Sequence, residues 1–106
     1  MTISEKMKTE LIEYAKIDGG DILAVSLYSA AVQMAESETG KAFIVEGETP
    51  KYPLYWLAIE MMVAHWYDNR GNGSDKSFNE LPWSARTLLN HIALSGDFEE
   101  KEVTSE

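Results

Sequence analysis

At 106 residues and 11.9 kDa the chain has room for one small domain, since single domains usually run to roughly 100–150 residues, and two independent cores are excluded. Cysteine is absent, which excludes a disulfide framework, a thiolate metal site and a cysteine nucleophile. Nine Lys plus Arg against eighteen Asp plus Glu give a net charge of −9, which opposes phosphate binding, where cations must replace condensed counterions. A 44% hydrophobic content supplies a core without staples, and the mixed N-terminal run MTISEKMKTE has no signal-peptide character, so the expectation is a soluble, acidic, intracellular-type domain. Residues 97–106 hold five acids against Lys101 alone, which predicts a domain over 1–96 and a solvated, mobile tail beyond it.

The first predicted helix covers residues 2–16, with Ile3, Met7, Leu11, Tyr14 and Ala15 on one face and charge on the other. Thr2 with Glu5 three residues on matches a capping box. Asp18 and Asp21 around a Gly pair break the pattern. Two acids are too few for a calcium loop, and Asp21 reads as the N-cap of the next helix. That second helix, 22–38, carries a Leu23, Leu27, Ala30, Met34 stripe with Val25, Tyr28, Val32 and Ala35 beside it. It therefore needs partners on two sides. Ala24, Ser29, Ala30 and Ala31 permit close approach, and Gly40 suits a left-handed stop. Residues 41–52 form a connector whose Phe43-Ile44-Val45 run could extend but has no evident strand to pair with.

The third helix, 54–67, is apolar at all but Glu60 and His65. It is too short for a bilayer, which needs about 20 residues, so no membrane role is expected and it reads as the central helix of a bundle. Pro53 fits its first turn, and Glu60 is expected on a wet stripe. Residues 69–80 form a long polar loop of the kind that is functional or mobile. Leu81-Pro82-Trp83 leads into the fourth helix, with Ala85, Leu88, Leu89 and Ile92 at helical spacing and Gly96 closing it. The predicted fold is all-α, a compact bundle of three to four helices with a long loop before the last.

Chemistry is hard to find in this set. His65 and His91 are the only histidines; no HExxH pair, nucleophile elbow or phosphate loop is present, so neither an enzyme, a metal nor a cofactor is expected. His65 reads as a packed residue. Six Tyr and Trp residues lie between 52 and 83, namely Tyr52, Tyr55, Trp56, Trp66, Tyr67 and Trp83. Such side chains fill cores and also suit interfaces. Trp66 reads as core, while Tyr55, Trp56 and Trp83 stand between core and interface.

One string goes beyond composition. Met62-Val63-Ala64-His65-Trp66-Tyr67-Asp68-Asn69-Arg70, a polar loop, then Leu81-Pro82-Trp83-Ser84-Ala85-Arg86-Thr87-Leu88-Leu89 resembles the head-tail connector family of tailed bacteriophages and prophages. These small helical adaptors are often described as DNA-packaging proteins. The likeness spans roughly residues 3–92 and includes the acidic turn at 18–21 and Thr39-Gly40-Lys41. Ser84 stands where the family usually has Gly, and Asn90-His91-Ile92 replaces an Ala-Pro-Tyr-like ending.

The resemblance implies a structural protein of the virion neck, present in the host cytoplasm during assembly. Copies would form a homo-oligomeric ring below the portal protein, extend the DNA channel and dock the next head-completion or tail protein. DNA would pass without sequence-specific binding, which the charge of −9 suits. Within that picture Tyr55, Trp56, Arg70, Trp83 and Arg86 are candidates for a subunit or partner interface, and Arg70 alternatively holds its own helix end. The competing expectation is a small acidic phage-encoded inhibitor that binds a host protein.

Overall fold

The computed structural model describes residues 3–18, 20–69 and 81–101. Among them four helices and one two-stranded ribbon run in the order α1 (Glu5–Ala15), α2 (Asp21–Thr39), β1 (Val45–Glu46), β2 (Thr49–Pro50), α3 (Pro53–Asn69) and α4 (Trp83–Leu94). The expected all-α bundle is what the chain forms. Of the loop expected at 69–80, Asn69 is the last residue of α3, and residues 70–80, like 102–106, lie outside the described residues.

α1 buries Met7, Leu11 and Ala15, one side chain per turn, while Tyr14 stays 43% exposed although its spacing placed it on the same face. The start of α1 differs from the expected capping box. Ser4 is the N-cap, its hydroxyl accepting from the Met7 N–H at 3.2 Å and donating to the Glu48 carbonyl at 2.9 Å, which ties the helix to the ribbon. At the other end Lys16 takes a left-handed conformation, and the Ile17 N–H reaches back to the Ile12 carbonyl at 3.1 Å.

Gly20 is the N-cap of α2. Asp21 is therefore a first-turn acid, near the positive end of the helix dipole, and pairs with Lys8 at 3.2 Å. Gly40 ends α2 at φ +71, as its spacing predicts. The buried face of α2 is Ala24, Leu27, Tyr28, Ala31, Val32, Ala35 and Thr39, so the aromatic and small residues point inward and the Leu23, Ala30, Met34 stripe lies at the rim. Val45 and Glu46 do find a partner, against expectation: they pair antiparallel with Pro50 and Thr49. The two-residue turn between them has Gly47 at φ +65 in its first position, where a type II′ turn needs positive φ.

α3 is central, packing on α4, α2 and α1, and α2 also packs on α4 and α1. Its Tyr55, Ala58, Ile59, Met62, Val63 and Trp66 are buried around most of its circumference. α4 contributes Ala85, Leu89 and Ile92 and ends at Leu94, two residues before Gly96. No described helix is long and apolar enough to cross a membrane.

The acidic tail expected from residue 97 is not free over its first half. Glu100 forms a bridge with Lys41; the Ala42 N–H donates to the Glu99 carbonyl at 2.8 Å and the Lys101 N–H to the Gly40 carbonyl at 2.9 Å. Charge supports the pairing, because Lys41 meets Glu100, Lys51 meets Glu99, and Lys101 meets Glu36. Residues 97–101 thus act as a strap over the connector, and Phe98 packs on Tyr52 and Tyr55 at ring distances of 4.8 and 6.2 Å.

Candidate functional site

The residues of the connector-like string scatter into three environments. Trp66 is 1% exposed and belongs to the core. Tyr67 is half-buried, and its hydroxyl accepts the Asp18 N–H at 2.9 Å, so it pins the turn between α1 and α2 to the end of α3. His65 is half-buried and Asp68 exposed near the last turn; Asn69 is the final residue of α3, and Arg70 lies outside the described residues. Leu81 and Pro82 are half-buried. Pro82 caps α4 with φ −61 and an extended ψ, its carbonyl accepting from the Arg86 N–H at 3.0 Å. Trp83 then stands 81% exposed, with Arg86 exposed one turn on.

Two of the expected interface aromatics are core residues. Tyr55 is fully buried and Trp56 is 8% exposed, so neither offers a surface to a second protein. They belong to a chain of six rings: Tyr28, Phe43 and Trp56 meet with centroids 6.1–6.2 Å apart, Phe43 meets Tyr55 at 5.2 Å, and Phe98 links Tyr55 to Tyr52. Edge-to-face contacts dominate, the arrangement ring quadrupoles favour. The Tyr55 hydroxyl donates to the Lys41 carbonyl at 2.9 Å beside Thr39 Oγ1 at 3.3 Å; burial pushes that phenol up to about 12. Tyr28 is likewise pushed up to about 12 by burial, and its buried hydroxyl has no hydrogen-bond partner among the described residues.

Glu60 is the strongest departure from expectation. It is 8% exposed, not on a wet stripe, and burial together with the charge of Glu10 raises its carboxyl from 4.5 to about 7. Glu10 in turn accepts from Trp56 Nε1 at 3.3 Å, one helical turn before Glu60. Buried acids with raised pKa values often mark active sites, and here the charge that adds to burial is a second carboxylate, that of Glu10. No group of three or more His, Asp or Glu converges among the described residues in a way that would hold a metal.

An open groove of about 340 Å³ runs along α2, lined by Ala30, Gln33, Met34, Ser37 and Glu38. It contains one ionisable group and none of the string residues. Compared with family models, with curated proteins and with solved structures, the chain finds no match in any of the three.

Proposed function

We propose that the chain is a head-tail connector subunit of a tailed bacteriophage or prophage. Copies form a ring below the portal, lengthen the DNA channel and present a surface to the next neck or tail protein. The observation that carries this reading is the string 62–70 with 81–89, which resembles the connector family and includes Trp83, a large apolar side chain 81% exposed. Tryptophan is among the residues most enriched at the energetic centres of interfaces. The net charge of −9 supports a conduit role, because a repeated acidic subunit repels phosphate and lets DNA slide.

The test is to mix the purified chain with the portal encoded in the same phage or prophage region and follow assembly by native mass spectrometry and electron microscopy. A ring seated on the portal is the expected result. A chain that stays strictly monomeric over all concentrations and never associates with that portal overturns the reading. A coding position between portal or capsid genes and tail genes is the cheaper supporting observation.

A further inference from the structure

After α4 ends at Leu94 the chain turns at Gly96 and lays residues 97–101 against the connector as an added strand. The Ala42 N–H donates to the Glu99 carbonyl at 2.8 Å, the Lys101 N–H to the Gly40 carbonyl at 2.9 Å, and Lys41 faces Glu100 in an antiparallel bridge. Main-chain bonds of this kind can hold any extended segment, and the side chains select which one. Phe98 fills the place over Tyr52 and Tyr55, and Glu99 and Glu100 then meet Lys51 and Lys41. The two sides of this contact are not equally firm. Lys41 is 7% exposed, its N–H donating to Thr39 Oγ1 at 3.0 Å and its carbonyl accepting from the Tyr55 hydroxyl. Glu99, Glu100 and Lys101 on the strap are all exposed. Ion pairs to exposed side chains are weak and screened by salt, so Phe98 and the main-chain bonds carry most of the hold on the strap.

We propose that the edge at 40–42, with Lys41, Lys51, Tyr52 and Tyr55, is an acceptor site for an extended segment of another protein in which an aromatic residue is followed directly by two acids. Residues 97–101 fill that site as a built-in competitor, and they are the template for its occupant. Net charge does not select the segment, because Glu46 lies 3.9 Å from Lys51 and Glu36 pairs with Lys101 at 3.2 Å, so the two lysines stand among two acids. Spacing selects it: a ring over the tyrosines, then carboxylates onto the two lysines. Tyr55 is fully buried while Phe98 lies against it and becomes reachable only when the strap lifts. A tethered competitor acts at an effective concentration of about a millimolar, so a partner segment binds only the fraction of molecules whose strap is open. The site does not rest on the connector reading.

Amide NMR on the full isotope-labelled chain tests this with a synthetic peptide, Ser-Gly-Asp-Phe-Glu-Glu-Lys, the sequence of the strap itself. Titrated into the wild type at about millimolar peptide, it is expected to shift the Ala42 amide and to send the Lys101 amide to its unstructured position. In Phe98→Ala, which weakens the competitor and leaves the acceptor intact, the Ala42 shift should come at about fivefold less peptide. The same peptide with its Phe moved to the last position should leave both amides in place. An equal response to the reordered peptide, shifts confined to other residues, or no shift with either chain overturns the proposal. Hydrogen exchange without peptide is the second measure. Ala42 and Lys101 should exchange well before Ile59 and Met62, and faster still in high salt. Protection equal to that of the core would make the strap a fixed part of the fold and sink the idea of a displaceable competitor. Loss of the strap contacts on concentrating the chain alone would seat a second copy in the site, and it too would overturn a foreign occupant.

Discussion

The inward wall of α3 and the outward face of α4 use the same kinds of side chain in opposite settings. Trp66 and Trp83 belong to one short string, yet they are 1% and 81% exposed. The difference lies in the helix phase and in what surrounds each position. Trp66 follows Ile59, Met62 and Val63 along a helix enclosed by three others, whereas Trp83 opens α4 on the side away from Ala85, Leu89 and Ile92. Aromatic content alone therefore says little about an interface; an aromatic residue becomes informative when its own chain leaves it uncovered.

Substitutions can break that contrast. Trp66→Ala is expected to be the most damaging, costing about 3–5 kcal/mol in urea unfolding, because it empties a cavity at the centre of the bundle. A loss below about 1 kcal/mol would mean the wall is loosely packed. Next is the acid in the same wall. Between its ordinary value of 4.5 and about 7, the native chain binds a proton at Glu60 that the unfolded chain does not, so stability falls as pH rises through this window. The effect is on the order of 2–3 kcal/mol. Glu60→Gln should melt above the wild type at pH 8, with the gap closing as the pH falls towards 5; a gap independent of pH would show the carboxyl to be solvated.

Two smaller effects sharpen the comparison. Phe98→Ala removes the ring that joins the strap to Tyr52 and Tyr55 and should cost about 1 kcal/mol, since this side chain is only partly buried. Trp83→Ala should change folding stability by less than about 0.5 kcal/mol, as exposed positions do. Thermal unfolding of the two variants side by side separates core from surface. A large loss from Trp83→Ala would assign that tryptophan to the fold and not to a contact with another molecule.

Much of the architecture was legible in the sequence because helical periodicity and stop residues are local. Met7, Leu11 and Ala15 are buried at their predicted spacing, Pro53 opens α3 and Gly40 closes α2. What was not legible depends on partners distant in the chain. Val45 has a partner only because Gly47 turns the chain back, and the acids at 97–101 read as a tail until Lys41 and Lys51 are seen to face them. Glu60 shows the limit of pattern reading most clearly, since a single acid in an apolar helix carries no mark of which way it faces. For the site, Tyr55, Trp56 and Trp83 stood alike between core and interface, and the first two could not be told from the third without knowing where Phe43 and Tyr28 lie.

The strap also orders events in time. Tyr52 receives its hydrogen bond from the Glu99 N–H, 47 positions later in the chain, and Phe98 covers it from the same segment. During synthesis α1 to α3 leave the ribosome before that segment does, so the aromatic edge is bare on the nascent domain until the segment follows. A chaperone that recognises bare aromatic edges has a short window on this chain, and the window shuts when Lys101 reaches Gly40.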